Sequence, residues 1–443
     1  MLDVRGMPVS IEDEDVLAGY EVALGAFRSY VGDPVLAIDT ALERSSDFVL
    51  GHLFRAIALY LVAERSFAAS AGRSLIEAEA RRSLANDRER RLMDAIRALV
   101  DGDWDRACDG LDGLLARYPR DALALQTAHL MDFFRGDALN LRNRIARVLP
   151  YWDHSTPGYS YVLGMHAFGL EECNQYPEAE AVARQALDYE RKDAWAVHAA
   201  THVMEMQGRV PEGIEFLESR RADWAPDNGF AHHNWWHLAL FYLDLGDDAR
   251  VLALYDDEIA TRTDDFAIGL VDESSLLWRL QLFGVDIGDR FERVADRWAA
   301  KGTQGDGWYA FNDMHALLAY AGAGRADAVD GIVDAVTHAA AAGEVSNRMM
   351  SEQVGVPVCR GMREFANGNY AAAMQTLSEV RDRAHRFGGS HAQRDVITLT
   401  LIEAAIRAGE GQVARHYINE RRVAKPSGKL GERLAKRLAA RAG

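Results

Sequence analysis

One short turn pattern recurs along the chain and limits what it can fold into. Turns that carry Gly, Asn or Asp followed by an aromatic residue or proline separate two amphipathic stretches, as in "VDGDWDRACDGL", "ECNQYPEAEAVA", "MQGRVPEGIEFL", "DLGDDARVLALY", "GAGRADAVDGIV" and "ANGNYAAAMQTL". In the flanking stretches apolar residues recur at i, i+3, i+4 and i+7, which is the period of a helix. Each turn therefore joins two helices.

The distance between these turns indicates the fold class. Tyr176 to Val210 spans one period, and Val210 to Gly246 spans nearly another. Two antiparallel helices in about 34 residues are typical of tetratricopeptide repeats. The sequence therefore predicts an all-α fold, a tetratricopeptide-type α-solenoid of antiparallel helix pairs. We expect these pairs to form a superhelix with a concave inner groove that the first helix of each pair lines.

No linker rich in Pro, Gly or Ser divides the chain, so we expect one continuous solenoid rather than separable domains. We predict an irregular helical lead-in over residues 1–50, the solenoid over residues 51–425 and a basic helical tail over residues 426–443. The basic stretch "ERRVAKPSGKLGERLAKRLAARAG" is typical of a solvated helix.

Composition narrows the function classes. The formal net charge of −17, from 67 acidic and 50 basic residues, repels a phosphate backbone, so we expect no nucleic-acid partner. The N-terminus does not resemble a signal peptide, and no apolar run is long enough for a membrane span. Three scattered cysteines do not suggest a disulfide framework. These features predict a cytoplasmic protein.

Histidines occupy similar places in the predicted repeats. All of the following lie in the first helix of their pair: His129, His166, His198, His202, His233, His237 and His315. Their placement suggests that several converge on the inner groove. The competing interpretation is ordinary packing, since a single histidine on an apolar helix face is usually a core residue. One extra turn residue also rotates a helix by about 100°.

Two of the histidine pairs have the spacing of metal ligands. His198 and His202 are i, i+4 neighbours, as are His233 and His237, and Glu205 follows the first pair. Two imidazoles one turn apart can begin a zinc site that a carboxylate completes. However, "HAATH" lacks the glutamate of HExxH metalloproteases. We therefore predict no resident cofactor and keep zinc as the alternative.

Cys359 suggests nucleophilic catalysis. A cysteine beside a histidine can become a thiolate, with a carboxylate orienting the histidine. "VGVP" before Cys359 predicts a position near a helix start, where the helix dipole favours the thiolate. The alternative is a small buried hydrophobic residue. Candidate bases and orienting acids are His315, His237, His202, Asp313, Asp272 and Glu205. The predicted catalytic set is Cys359, His315, His237 and Asp313.

Two further polar stretches interrupt apolar helices. "FNDMHALL" places Asn312 and Asp313 at a helix start, where Asp313 suits an N-cap. "RFGGSHAQRDV" offers Ser390 as an N-cap and sets residues 393–395 in the first helical turn. Arg394 either binds a carboxylate or phosphate, or pairs with a neighbouring acid. Motifs of nucleotide, dinucleotide and serine-hydrolase sites do not occur.

The blocks "DAWAVHAATHVMEMQGRVPEGIEFL", "HHNWWHLALFYLDLGDDARVLALYD", "FNDMHALLAYAG", "VGVPVCRGM" and "GGSHAQRDVI" together resemble the family of tetratricopeptide-repeat protein 38. The similarity runs in order from near residue 45 to near residue 430. It implies an all-α repeat superhelix and a cytoplasmic protein, and it settles no reaction. Positions that match the family pattern are His198, His202, Glu205, His233, Asn234, Trp236, His237, Asn312, Asp313, His315, Cys359, Gln393, Arg394 and Asp395. His166 does not clearly match.

These observations leave three functional hypotheses. The first is a hydrolase that acts on a small organic substrate in the groove, with Cys359 as the nucleophile and a histidine as the general base. In it the remaining matched positions bind the substrate: His198, His202, Glu205, His233, Asn234, Trp236, Asn312, Gln393, Arg394 and Asp395. The second is a non-catalytic scaffold that binds a peptide or partner protein, and the third is a metal-dependent hydrolase. We expect a small-molecule substrate, no membrane partner and a homodimer as one possible assembly.

Overall fold

Helices make up most of the computed structural model, which describes residues 1–261 and 266–442. Over these ranges the β-structure consists of two isolated bridges, Leu2–Pro8 and Val31–Asn228. Helices that follow one another along the chain pack as pairs across short turns. The predicted all-α fold of tetratricopeptide-type helix pairs is therefore confirmed.

The contacts divide the chain into two compact units. Unit 1 comprises Met1–Ala200, Ala222–Ala231 and Glu344–Ser346, and unit 2 comprises Thr201–Arg221, His232–Gly343 and Asn347–Gly443. The first division falls inside one helix, Ala194–Met206. The predicted segment limits at residues 50 and 425 coincide with none of these divisions and stay a prediction.

Unit 1 begins with ten helices. They are α1 Glu14–Ser29, α2 Pro34–Arg44, α3 Val49–Tyr60, α4 Arg65–Ala80, α5 Asp87–Val100, α6 Trp104–Leu115, α7 Ala122–Phe134, α8 Ala138–Val148, α9 Tyr159–Glu172 and α10 Tyr176–Tyr189. Each odd-numbered helix packs against the next. Residues 1–50 were expected to be irregular, but α1 and α2 form a regular pair. Asp13 and Asp33 cap them by accepting hydrogen bonds from backbone N–H groups of the first turn.

The remaining helices follow in chain order. They are α11 Ala194–Met206, α12 Val210–Ser219, α13 Arg221–Trp224, α14 Ala231–Leu245, α15 Asp248–Leu254, α16 Ala267–Leu282, α17 Arg290–Ala300, α18 Ala310–Gly322, α19 Ala326–Ala342, α20 Val345–Met350, α21 Val356–Ala366, α22 Tyr370–Val380, α23 His391–Ala408, α24 Gly411–Ala424 and α25 Leu430–Ala442. Within unit 2, α16 packs against α17, α18 and α23, and α21 against α22.

The turns between paired helices follow from two adjacent residues. At Gly136–Asp137 and Gly246–Asp247 the glycine has a φ of 67° and 81°, a left-handed conformation that suits a residue without a Cβ. The aspartate then caps the next helix by accepting a backbone hydrogen bond, from Asn140 N in α8 and from Arg250 N in α15. The Gly-Asp pair thus both ends one helix and begins the next.

The basic C-terminal stretch is partly buried rather than simply solvated. Leu430 and Leu434 of α25 are buried, and Arg433 and Arg437 form ion pairs with Asp248 and Glu403. Gly443, the last residue of the predicted tail, lies outside the described residues.

Candidate functional site

The histidines and Cys359 lie on the first helices of their pairs, as the turn spacing predicts. His129 is on α7, His166 on α9, His198 and His202 on α11, His233 and His237 on α14, His315 on α18 and Cys359 on α21. His129, His166 and His198 belong to unit 1, and the others belong to unit 2. His198 packs among aromatic rings of unit 1.

Three of these histidines come together inside unit 2. His202, His233 and His237, called the imidazole cluster below, are all buried. One ring nitrogen of each lies within 4.8 Å of a ring nitrogen of the other two. The Nε2 atoms of His233 and His237 are 3.3 Å apart, and the ring centroids of His202 and His237 are 4.5 Å apart.

A buried carboxylate orients each of two members of the cluster. His233 Nδ1 lies 2.7 Å from Asp272 Oδ2, and His237 Nδ1 lies 2.7 Å from Glu205 Oε2. Since a carboxylate accepts, the Nδ1–H groups donate and both Nε2 atoms keep their lone pairs. Burial lowers the pKa of His237 well below its usual range, and the neighbouring imidazoles and cations act in the same direction. His237 is therefore neutral at physiological pH.

Trp236 and Asn234 lie on the same helix as the cluster. The ring of Trp236 is nearly parallel to that of His233, with centroids 5.3 Å apart. The guanidinium of Arg279 also lies over the Trp236 ring, with its central carbon 5.3 Å from the ring centroid. Asn234 is fully buried, and neither polar atom of its amide has a hydrogen-bond partner within the described ranges.

A small pocket in unit 2 carries charged residues that the sequence did not single out as a group. This charged pocket is lined by three cations and three acids, Arg279, Arg421, Lys425, Glu205, Asp244 and Asp395, together with apolar residues of α14, α23 and neighbouring segments. Its free volume is about 20 Å³. That volume suits a water molecule or the head of a small anion.

Arg279 is the cation of this pocket without an acidic partner. It is 1% exposed, and across the described part of the chain no carboxylate lies within ion-pair distance of it. Its Nη1 donates to Ser275 O at 3.0 Å, and its Nη2 donates to Ala392 O at 2.8 Å and Gln393 O at 3.4 Å. Burial lowers the pKa of Arg279 to about 10.

The other two cations have acidic neighbours. Arg421 donates to Asp395 Oδ1 at 2.5 Å, and Lys425 Nζ lies 3.7 Å from Glu205 Oε1. Although burial opposes it, the charge of Arg421 lowers the pKa of Asp395 to about 2. Reading the basic C-terminal stretch as a solvated helix was therefore wrong for Arg421 and Lys425. Their signal in the sequence was weak, because their partners lie far away along the chain.

Cys359 does not have the surroundings of a nucleophile. It is fully buried, burial raises the pKa of its thiol, and no hydrogen bond joins it to a histidine in the ranges that the structure describes. The expected helix start was wrong, because α20 continues through a π-helical turn, Ser351–Gly355, directly into α21. Cys359 therefore gains no free helix N-terminus.

The predicted partners of Cys359 have other roles. His315 Nδ1 donates to the carbonyl of Phe311 at 2.8 Å, and burial lowers the pKa of His315 to about 4. Asp313 was expected as an N-cap, but α18 begins at Ala310. Asp313 instead accepts a hydrogen bond from the backbone of Gly307 at 3.0 Å. The catalytic set stays a prediction without support from these contacts.

Local contacts also account for the polar start of α23. Ser390 is its N-cap, as predicted, and Gln393 completes a capping box with it. Arg394 donates to the carbonyl of Gly389 and lies 3.2 Å from His391 Nδ1. Of the four residues named for this stretch, only Asp395 lines the charged pocket. Asn312, in the first turn of α18, is half-buried.

No family model matches the chain. Solved structures with some similarity include a tetratricopeptide repeat protein from Parabacteroides merdae, at 11% identity and a TM-score of 0.34, covering 71% of this chain and 98% of that one. Another is the APC/C hetero-tetramer Cut9–Hcn1, at 10% identity and a TM-score of 0.34, covering 97% of this chain and 96% of that one. At these values neither similarity assigns a family or a function.

One finding bears on membrane association. In the ranges 1–261 and 266–442, every helix is too short or too polar to cross a bilayer.

Proposed function

We propose that the protein is a non-catalytic binding protein of the tetratricopeptide type, and that the charged pocket of unit 2 holds the carboxylate of its ligand. The observation that carries this proposal is Arg279, a fully buried cation that lines the pocket and has no acidic partner in the described part of the chain. A buried charge is stable only when it is paired or fully hydrogen-bonded.

The remaining donors of Arg279 suit a carboxylate. A guanidinium carries five N–H donors, and carbonyl oxygens of Ser275, Ala392 and Gln393 use three of them. One donor on Nε and one on Nη1 are left for a ligand. The guanidinium carbon lies 5.3 Å from the centroid of the Trp236 ring, a cation–π contact that helps to hold it in place. A carboxylate accepts charge-assisted hydrogen bonds and compensates the charge of the guanidinium.

The size of the pocket limits what enters it. A free volume of about 20 Å³ accommodates a terminal group and not a whole ligand. Capture of a C-terminal carboxylate is a recurring mode of peptide recognition, and a guanidinium is well suited to bind a carboxylate. We therefore favour the C-terminus of a partner protein, with a small carboxylic acid as the other source of the same group.

Cys359 favours this binding function over the thiol-hydrolase hypothesis. A thiolate needs a stabilising positive neighbour or a free helix N-terminus. Cys359 lies inside a continuous helix, and burial raises the pKa of its thiol. Membership of the tetratricopeptide-repeat protein 38 family, a cytoplasmic location and a homodimeric assembly stay proposals that rest on the sequence.

The test compares ligands with and without a free carboxylate. Immobilised protein is incubated with short random-sequence peptides that have free C-termini, with the same peptides amidated, and with a set of small carboxylic acids. We expect retention of the free peptides and not of the amidated ones. Retention of small acids alone would identify a small-molecule site. Equal retention of free and amidated peptides, or no retention of any carboxylate, would overturn the proposal.

A pair of variants links the result to the pocket. Arg279→Met should weaken binding about tenfold to a hundredfold, since a hydrogen bond to a charged group contributes about 1.5–3 kcal/mol. Arg407→Met is the matched control. Arg407 also stacks on aromatic rings, those of Phe365 and Tyr370, but it pairs with Glu403 and lies outside the pocket. Circular dichroism of both variants checks that they fold.

A further inference from the structure

The imidazole cluster has a spacing that its own hydrogen bonds do not explain. Asp272 and Glu205 accept from Nδ1 of His233 and His237, so in the neutral rings the Nε2 lone pairs face each other across 3.3 Å. Two lone pairs at this distance repel unless a proton or a cation lies between them.

That distance matches a metal centre. Zinc–imidazole bonds are about 2.0–2.1 Å long, and two such bonds at the tetrahedral angle separate the nitrogens by about 3.3–3.4 Å. The Nε2 atoms of His233 and His237 are 3.3 Å apart. His202 brings a third ring nitrogen within 4.8 Å of the others, from the neighbouring helix α11.

The carboxylates behind the cluster provide a second, independent observation. Histidines that bind metals generally donate their other N–H group to a carboxylate or carbonyl, which fixes the tautomer and the ring orientation. Both His233 and His237 do so, at 2.7 Å, to acids that are themselves largely buried. By contrast, His315 in the same unit donates to the backbone carbonyl of Phe311.

We propose that His202, His233 and His237 of unit 2 bind one divalent transition-metal ion. Neutral imidazoles select zinc, copper, nickel or iron rather than magnesium or calcium, which prefer oxygen. A tetrahedral site takes one further ligand besides these three nitrogens. This inference does not rest on the proposed carboxylate pocket, since it uses none of the pocket cations, although Glu205 belongs to both.

The first experiment measures metal in the whole protein. The chain is purified without a metal-affinity column, and its metal content is determined by elemental mass spectrometry. It is then stripped with a chelator and titrated with cobalt(II). We expect about one equivalent of metal per chain, and the visible d–d bands of tetrahedral cobalt(II) on titration. Stripped protein that keeps its circular dichroism spectrum, shows no cobalt bands and does not compete for zinc with a chromophoric chelator would overturn the proposal.

Variants locate the metal. His233→Ala and His237→Ala should each lower the affinity for cobalt(II) at least a hundredfold, because each removes one of three ligands. His315→Ala, a buried histidine of the same unit outside the cluster, should keep the affinity and the spectrum. If a variant fails to fold, the cobalt(II) titration of the unmodified protein still decides whether the chain binds a metal ion. Full affinity in folded His237→Ala would place the metal elsewhere and refute the assignment.

The experiments separate the two proposals. Arg279→Met is expected to keep the cobalt(II) spectrum while it loses carboxylate binding. His237→Ala is expected to lose the cobalt(II) spectrum. Either proposal can therefore fail without the other.

Discussion

Two histidine-rich regions hold equivalent places in their helix pairs and differ in what surrounds the imidazoles. In unit 1, His198 packs against the rings of Phe168, Trp195 and Phe230, with centroid distances of 5.2, 5.4 and 5.1 Å. In unit 2, His233 and His237 each reach a buried carboxylate at 2.7 Å. The two regions therefore differ in whether a carboxylate orients the imidazole.

The largest expected effect concerns the aromatic region of unit 1. Trp195→Ala should lower the free energy of unfolding by about 3–5 kcal/mol, since Trp195 contacts five rings there and is 8% exposed. Urea denaturation, monitored by circular dichroism, measures this free energy. Trp195→Phe, which keeps most ring contacts, should lose less. A loss below about 1 kcal/mol in Trp195→Ala would show that this region is not a packing core.

The next effect concerns the acid that distinguishes unit 2. Asp272→Asn should weaken metal binding about tenfold to a hundredfold, because the amide orients the imidazole of His233 less well. Competition with a chromophoric chelator gives the affinity. Asp313→Asn is the matched control, since Asp313 accepts a hydrogen bond from the backbone of Gly307. Equal affinities in the two variants would remove the proposed role of the carboxylate.

Acid sensitivity compares a buried histidine from each unit. Burial lowers the pKa of His129 in unit 1 to about 3 and that of His315 in unit 2 to about 4. Below the ordinary pKa near 6.5, the unfolded chain binds a proton that the folded chain does not. Stability from each group is therefore complete above pH 6.5. It falls by about 1.4 kcal/mol per pH unit toward pH 3 or pH 4.

His129→Phe should remove one part of this dependence. Its free energy of unfolding, measured by urea denaturation between pH 5 and pH 7, should fall less steeply on acidification than that of the unmodified protein. An unchanged slope would mean that folding does not lower the pKa of His129.

The smallest effect concerns the cysteines. Iodoacetamide should modify half-buried Cys173 of unit 1 in the folded protein and leave Cys359 of unit 2 unmodified until denaturant is added, as read by peptide mass mapping. Burial raises the pKa of Cys359, and it raises that of buried Cys108 to about 12. Rapid modification of Cys359 in the folded chain would restore the thiolate hypothesis.

The sequence was sufficient for the local features of the fold. Gly-Asp pairs such as Gly246–Asp247 predicted the turns, because each residue has its own backbone preference there. Ser390 was recognised as a cap for the same reason. The i, i+4 spacing of His233 and His237 also predicted that they share a helix face.

The sequence could not provide the rotation of each helix about its own axis relative to the helices beside it. Arg279 stands alone in the apolar stretch "LLWRLQLF", which is the signal that could have drawn attention to it. Its position against Trp236 and α23 depends on how three helices pack. The prediction of a helix start near Cys359 was wrong for a related reason. The preceding helix continues through a π-helical turn into α21, and the proline of "VGVP" does not interrupt it.

Glu205 has a double contact whose consequence is thermodynamic. One of its oxygens accepts from His237, and the other lies 3.7 Å from Lys425 in the charged pocket. A metal on the imidazoles and an anion in the pocket would thus act on one shared carboxylate. Their affinities would then be linked, and linkage is reciprocal: whatever factor the metal imposes on the carboxylate ligand, that ligand imposes on the metal.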